Sequence, residues 1–127
     1  MIGLYNGTVN ANTQDGKLVT ASNKVTFILN SSLNEEKEQK LAIRTLEENH
    51  KTVGSTTLSF EGTNKDKWAF SLDGQAWGNY GESLVIDEEI RNTNKIIYVK
   101  ARAVEGEGVS TDTSVSIKIA GVIGTIE

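Results

Sequence analysis

Apolar and polar residues alternate with a period of two along the last third of the chain. Residues 97–103 place an apolar side chain at every second position, and residues 115–119 repeat the pattern after a glycine-rich break at 105–108. This alternation is typical of strands that bury one face. We expect the two segments to form a strand and its returning partner in one hairpin.

Shorter apolar pairs predict further strands upstream. They are Leu58 with Phe60, Trp68 with Phe70 and Leu72, and Leu84 with Ile86. Asp73-Gly74 supplies a turn, and similar turn signals recur at intervals of about ten residues, which is the spacing of sandwiches and barrels. Because the chain contains no proline, its turns depend on Gly, Asn and Asp. The sequence therefore predicts an all-β, antiparallel fold.

The segment after residue 31 carries signals for both kinds of secondary structure. Residues 32–35 match a capping box, and Glu36 and Lys40 form an i,i+4 pair that favours helix. From Leu41 onward the apolar positions alternate as in a strand. We therefore predict one short helix near 33–40, followed by a strand that starts near Leu41.

Two segments of the chain resemble each other without a gap. Residues 8–29 align with residues 98–119 at a constant offset, so that Val9 matches Val99 and Gly16 matches Gly106. The similarity has two explanations that the sequence leaves open, a duplication or the residue preferences that all hairpins share. In either case it predicts an extra β-hairpin within residues 1–30.

These strand patterns are similar to those of a known family. Residues 97–119 resemble the last two strands of fibronectin type III modules, and residues 22–27 resemble the final strand of such a module. Residues 68–77 resemble the middle hairpin of bacterial and phage immunoglobulin-like repeats. The resemblance covers 41–119 and implies an immunoglobulin-like or fibronectin-III-like β-sandwich. Residues 1–30 then form an N-terminal hairpin arm, or part of the sandwich, and 120–127 form a tail.

The chain departs from the family at two points. The tyrosine that the family buries on its penultimate strand falls at Ile97, and the neighbouring Tyr98 points to the opposite face. No proline marks the start of the domain. Cysteine-free modules of this type, without an export signal, are typical of phage virion proteins and of bacterial surface repeats. The resemblance therefore implies a virion, extracellular or cell-surface location.

Composition narrows the classes of partner. The length of 127 residues fits one domain. The net charge is −4, and Lys and Arg are scattered among Asp and Glu, which argues against a nucleic-acid partner. The absence of cysteine excludes disulfides and thiolate ligands. No apolar run reaches membrane-spanning length, so we expect no membrane insertion. Residues 1–5 do not resemble a signal peptide, an expectation that depends on Met1 being the natural start.

Candidate catalytic groups are sparse, so we expect no enzyme activity and no cofactor. His50 is the only histidine and lies in a polar run that indicates an exposed turn. The carboxylate pairs, such as Glu47-Glu48, are neighbours along the chain, whereas glycosidases need carboxylates that face each other across a cleft. Loop oxygens from Glu61, Asn64, Asp66 and Asp73 leave a calcium site open as an alternative.

A glycine-rich loop holds the residues that we favour for ligand or partner contact. Trp77 and Tyr80 offer rings that can stack on a sugar, and Asp73 and Asn79 can accept or donate hydrogen bonds to its hydroxyls. The competing interpretation is that Trp77 packs on the edge of the sandwich, whereas Trp68 belongs to the core because it alternates with Phe70.

The expected function is therefore non-catalytic surface contact. The leading hypothesis is a structural or adhesive module of a phage virion, in a capsid decoration or a tail, whose partners are other subunits or copies of itself. The alternatives are a module that binds a carbohydrate or recognises a cell surface, and an accessory domain of a larger enzyme. The tail, residues 120–127, is apolar and is expected either to add to the sheet or to dock on a neighbour.

Overall fold

Within the residues that the structure describes, the regular structure consists of ten strands and one turn of 3-10 helix. The computed structural model describes residues 2–20, 25, 27–30, 36–62, 65–102, 109–112 and 115–126. The strands are β1 (Ile2–Asn6), β2 (Lys17–Leu18), β3 (Phe27–Asn30), β4 (Glu36–Thr45), β5 (His50–Gly62), β6 (Trp68–Ser71), β7 (Leu84–Ile86), β8 (Lys95–Arg102), β9 (Val109–Asp112) and β10 (Val115–Thr125), and the 3-10 turn is Lys65–Lys67. No helix within these ranges has the length and apolar character needed to span a membrane.

The strands form two antiparallel sheets and a separate two-stranded ribbon. The large sheet has the order β2-β1-β4-β8-β6, the small sheet has the order β10-β5-β7, and the ribbon pairs β3 with β9. A β-bulge opposite Gly121 interrupts the long pairing of β10 with β5, in which Ala120 faces Thr57 and Val122 faces Val53.

The core lies between the two sheets. Trp68, Leu58, Ile97 and Val99 have no exposed surface, and they come from strands of both sheets. The Phe60 ring of the small sheet stacks on Phe70 of the large sheet with ring centres 4.0 Å apart, and it meets Trp68 edge to face at 5.9 Å. The prediction of an all-β sandwich, with Trp68 in its core, is therefore confirmed.

The short helix predicted near 33–40 is wrong over the residues that the structure describes. Residues 36–40 open β4 and pair with β8, so that Glu36 faces Arg102 and Lys40 faces Tyr98. Residues 33–35 lie outside the described residues. An i,i+4 pair favours a helix only weakly. A strand over these residues instead forms backbone hydrogen bonds with β8.

The predicted hairpin between residues 97–103 and 115–119 is also wrong. Both segments are strands, but β8 pairs with β4 and β6 in the large sheet, whereas β10 pairs with β5 in the small sheet. Between them the chain contributes β9 to the ribbon. Alternation shows that a strand buries one face, but it does not say which strand lies beside it. This pairing departs from the fibronectin type III resemblance, in which the last two strands are neighbours.

Both ends of the chain are built into the sheets. Strand β1 lies between β2 and β4, and its Leu4 belongs to the core. The N-terminal hairpin is formed by β1 and β2, while Val9 lies in the loop between them, unlike Val99 on β8. The described parts of residues 8–29 and 98–119 therefore differ in structure. At the other end, residues 120–125 continue β10 along β5.

Candidate functional site

The tryptophan loop, residues 72–83, folds back over the outer face of the large sheet. The backbone N–H of Gly78 donates to the carbonyl of Phe70 at 3.1 Å, and that of Gly81 donates to the carbonyl of Trp68 at 2.8 Å. Ser71 and Trp77 also form an isolated antiparallel bridge. The loop therefore continues the sheet beyond β6 instead of projecting into solvent.

Asp73 organises the turn that begins this loop. One of its carboxylate oxygens accepts hydrogen bonds from the backbone N–H groups of Ala76 at 2.9 Å and Gln75 at 2.8 Å, and from the Ser71 hydroxyl at 3.1 Å. These bonds stabilise the ionised form, and the pKa of Asp73 is lowered, chiefly by the Ala76 N–H. The carboxylate is thus occupied by its own turn.

The backbone of the turn favours glycine where it crosses the sheet. Gly74 has a φ of +79°, which would strain any other residue. A β-carbon there would lie in contact with the ring of Tyr98 on β8, 3.4 Å away. The loop consequently lies flat against the outward side chains of β8.

Trp77 and Tyr80 both pack against positively charged side chains. The Lys100 ammonium lies 4.7 Å from the centre of the Trp77 ring and 5.4 Å from that of Tyr80, and the Arg102 guanidinium lies 4.1 Å from Tyr80. Glu36 completes the cluster, because its carboxylate lies 3.4 Å from the Lys100 ammonium and accepts a hydrogen bond from the Tyr80 hydroxyl. These cation–π contacts hold the loop to the sheet.

The structure brings the four predicted contact residues onto one loop, but it engages each of them locally. Asn79 donates to Glu82 at 3.1 Å, so its amide also serves the loop. A role in ligand contact for Trp77, Tyr80, Asp73 and Asn79 therefore stays a prediction. Sequence reasoning missed the contacts with Lys100 and Arg102. Alternation in the sequence predicts that Lys100 and Arg102 point outward from β8, but it does not predict that the tryptophan loop packs on them.

A second loop, residues 7–16, covers the other end of the same face. Val9 and Tyr5 pack with Ala42 and Ile96, which point outward from β4 and β8. Gly16 has a φ of +101°, and a β-carbon there would lie 2.6 Å from Val9. Glycine is therefore needed for the loop to close over its own apolar residue.

Asn94 fastens this loop to the sheet. Its side chain, 3 % exposed, donates to the Asn10 carbonyl at 3.0 Å and to the Asp15 carboxylate at 2.7 Å, and it accepts from the Arg44 guanidinium at 2.6 Å. The same guanidinium lies 3.6 Å above the Tyr5 ring. Buried amides that satisfy several partners at once hold a loop in one conformation.

Hydrogen bonds within this loop stabilise the ionised form of Asp15. Its carboxylate accepts from the backbone N–H of Asn10 at 2.9 Å, from the Thr13 hydroxyl at 2.7 Å and from the Asn10 amide at 2.7 Å. The first of these bonds is the largest cause that lowers the pKa of Asp15 to about 2. The site is therefore a structural carboxylate of a surface loop.

The outer face of the small sheet is bare by contrast. Val53, Val85 and Val122 are 52 %, 48 % and 63 % exposed, and none of the described loops covers them. Val53 and Val122 face each other across β5 and β10, so they form one exposed apolar pair.

The described residues leave one edge of β10 uncovered as well. Strand β10 has 11 residues and pairs with β5 on one side, while no strand in the described ranges pairs with its other edge. An apolar groove of about 210 Å³ runs between this edge and the start of the large sheet. Its lining includes Ile2, Leu18, Leu46, Ile117 and Ile119.

The other candidate groups do not converge. His50 lies at the start of β5, and its Nε2 is 3.4 Å from the Glu47 carboxylate beside it. Glu61 lies 3.5 Å from the Lys118 ammonium, and Asn64 lies outside the described residues. Within those ranges no three His, Asp or Glu side chains are grouped so that they could hold a metal ion.

Comparison with known proteins does not identify a family. No protein-family model matches the chain, and no curated protein matches it. Among solved structures, a family two carbohydrate esterase from Cellvibrio japonicus is similar over 98 % of this chain, with 10 % identity and a TM-score of 0.32. This chain spans 35 % of that protein, and a likeness at this TM-score supports no inference about fold or function.

Proposed function

We propose that the chain is a non-catalytic structural module that works by contact with other protein subunits of a phage virion, in a capsid decoration or a tail. The observation that carries the proposal is the open edge of β10, which has 11 residues and no partner strand among the described residues. Unpaired N–H and C=O groups along such an edge are a template for another strand.

Exposed apolar side chains next to this edge support the same function. Val122 on β10 and Val53 beside it are more than half exposed, and the apolar groove opens along the other face of the strand. Proteins usually protect a long edge with proline, charge or a covering loop. Here β10 carries only one charged side chain, Lys118, and no proline.

The virion setting comes from the resemblance to cysteine-free phage and surface modules, and it has a direct test. Virions produced from the genome that encodes the chain are purified on a density gradient and analysed by quantitative mass spectrometry. The proposal expects the chain to co-sediment with the particles at a fixed copy number relative to the major capsid protein. Its absence from purified particles would contradict a virion role.

The second candidate function is a carbohydrate-binding module centred on Trp77 and Tyr80, which are both half-buried on one exposed loop. The cation–π contacts also fit the competing interpretation, in which Lys100 and Arg102 hold these rings against the sheet. A glycan array tests it, with Trp77→Ala as the variant and Leu72→Ala as the control on the same loop. Binding that Trp77→Ala removes and Leu72→Ala retains would establish this function instead.

A further inference from the structure

We infer that the partner of the β10 edge is the same strand of a second copy, paired antiparallel about a two-fold axis at Gly121. The inference rests on the proposed function and names its partner. A two-fold contact uses one surface patch on both copies, so the patch must complement itself. Strand β10 meets that condition in its backbone, its apolar side chains and its charge.

The backbone condition is met because one open edge pairs with another. The 11 residues of β10 form an edge strand of the small sheet in each copy. Pairing the two edges joins the small sheets into one six-stranded sheet, β7-β5-β10 followed by β10-β5-β7 of the second copy. Every strand in this sheet is antiparallel to its neighbours, as it already is within each copy.

An axis at Gly121 matches apolar side chains on both faces of the joined sheet. In antiparallel pairing, opposite residues lie on the same face. On the inner face, Ile119 of one copy then lies opposite Ile123 of the other. On the outer face, Ala120 lies opposite Val122, which at 63 % exposure is the most exposed large apolar side chain among the described residues.

Charge also favours this register. Lys118 is the only charged residue of β10 and pairs within its own copy with Glu61. With the axis at Gly121, the two Lys118 side chains lie about six residues apart along the sheet, roughly 20 Å, which is beyond the screening length of physiological salt. An axis at Lys118 would place the two lysines directly opposite each other, with Cα atoms about 5 Å apart, and like charges in such a pair are destabilising.

The same pairing also covers the apolar groove. Ile117 and Ile119 line that groove from the β10 side, and Leu18 and Leu46 line it from the large sheet. A strand added beside β10 continues the inner face of the small sheet over the open side of the groove. In this register, Ile123 of the second copy lies opposite Ile119 and is its inward isoleucine closest to the groove, whose two leucines are 38 % and 39 % exposed in a single copy.

Cysteine cross-linking tests the register, because the natural chain contains no cysteine. Ala120→Cys and Val122→Cys are prepared separately, mixed, and oxidised mildly. Directly opposite residues have Cα atoms about 4.5–5.5 Å apart, which is within disulfide range. Residue 120 of one copy, by contrast, lies roughly 8 Å from residue 120 of the other copy. We expect a cross-linked heterodimer from the mixture and little from either variant alone. Efficient cross-linking of Ala120→Cys alone, or none in the mixture, would overturn the register.

Charge variants test the interface itself. Ala120→Lys with Val122→Lys places lysines opposite lysines across the axis, while Ala120→Glu with Val122→Glu does the same with carboxylates. Both positions are exposed in one copy, so the variants should fold, as circular dichroism can check. We expect each double variant to be monomeric by light scattering and the equimolar mixture to recover a dimer. Val85→Lys, an exposed valine on the opposite edge strand, is the matched control and should remain dimeric.

Failure of this inference is distinguishable from failure of the proposed function. A double lysine variant that stays dimeric, or a natural chain that is monomeric at every concentration, overturns self-pairing through β10. Neither result bears on whether the chain is present in purified virions, which is the test of the broader proposal.

Discussion

The outer faces of the two sheets differ in how far loops of the chain cover them. On the large sheet, outward residues such as Tyr5, Ala42 and Ile96 are covered by a loop of the same chain, and Lys100 is 16 % exposed beneath Trp77 and Tyr80. On the small sheet, the outward valines at 53, 85 and 122 face solvent. Within the described residues, loops of the chain cover the first face, and none covers the second.

The comparison shows what a loop contributes to a sheet. An antiparallel sheet tolerates one solvated face when that face is polar. The large sheet carries apolar and aromatic residues outward, and the loops at 7–16 and 72–83 remove them from water. The small sheet also carries apolar residues outward, and no described loop lies over them.

Removing residues 1–30 should have the largest effect. Strand β1 lies between β2 and β4, and Leu4 is in the core, so the deletion removes a strand from within the large sheet. We expect loss of the cooperative unfolding transition in circular dichroism. A truncated chain that still unfolds cooperatively would show that the N-terminal hairpin is a detachable arm.

Asn94→Ala should have the next largest effect, a loss of about 3 kcal/mol in the free energy of unfolding. The substitution leaves the Arg44 guanidinium and the Asn10 carbonyl without their buried partner. Urea denaturation measures the change. Asn79→Ala, at an exposed asparagine with a single described hydrogen bond to Glu82, is the control and should cost less than about 0.5 kcal/mol.

Trp77→Ala should cost about 1 kcal/mol, because it removes the contact with Lys100 and part of the cover over β8. Val85→Ala, at an exposed valine of the bare face, should change the stability of one copy by less than about 0.5 kcal/mol. Thermal unfolding of both variants measures this difference. Equal effects would mean that the tryptophan loop contributes no more than the uncovered face does.

The smallest effect is a dependence on pH that belongs to the covered face. The pKa of Asp15 is lowered to about 2 in the folded chain, against about 3.9 in an unfolded one. Its contribution to stability is therefore complete above about pH 4 and is lost as the pH falls towards 2. Asp15→Asn should be less stable than the natural chain at pH 6, and the difference should narrow by pH 2.5. Asp87→Asn, at an exposed carboxylate after β7, is the control.

Local pattern predicted much of the architecture. The alternation in 97–103 and 115–119 correctly identified strands, and Trp68 was correctly assigned to the core. Partner strands were harder to predict, because β8 and β10 share the same local pattern yet lie in different sheets. The prediction of a helix near 33–40 is wrong for a related reason: pairing with β8 outweighs the weak helical preference of residues 36–40.

The candidate contact residues were visible as a loop but not as a cluster. Trp77 and Tyr80 stand out in the sequence through their rings and the glycines around them. Their cationic neighbours on β8 are 20 or more positions away along the chain, so only the docked loop brings them together. The apolar character of residues 120–126 is visible in the sequence. Their pairing with β5 is not, because that strand lies some 70 positions earlier in the chain.

The central claim is that the edge of β10 in the small sheet pairs with the same strand of a second copy. Light scattering after size exclusion, over a series of concentrations, tests it most directly, because one chain has a mass of 13.8 kDa. The account predicts twice that mass for the natural chain and a single mass for the Ala120→Lys, Val122→Lys variant. A natural chain that stays at the single mass up to the highest concentration would contradict it.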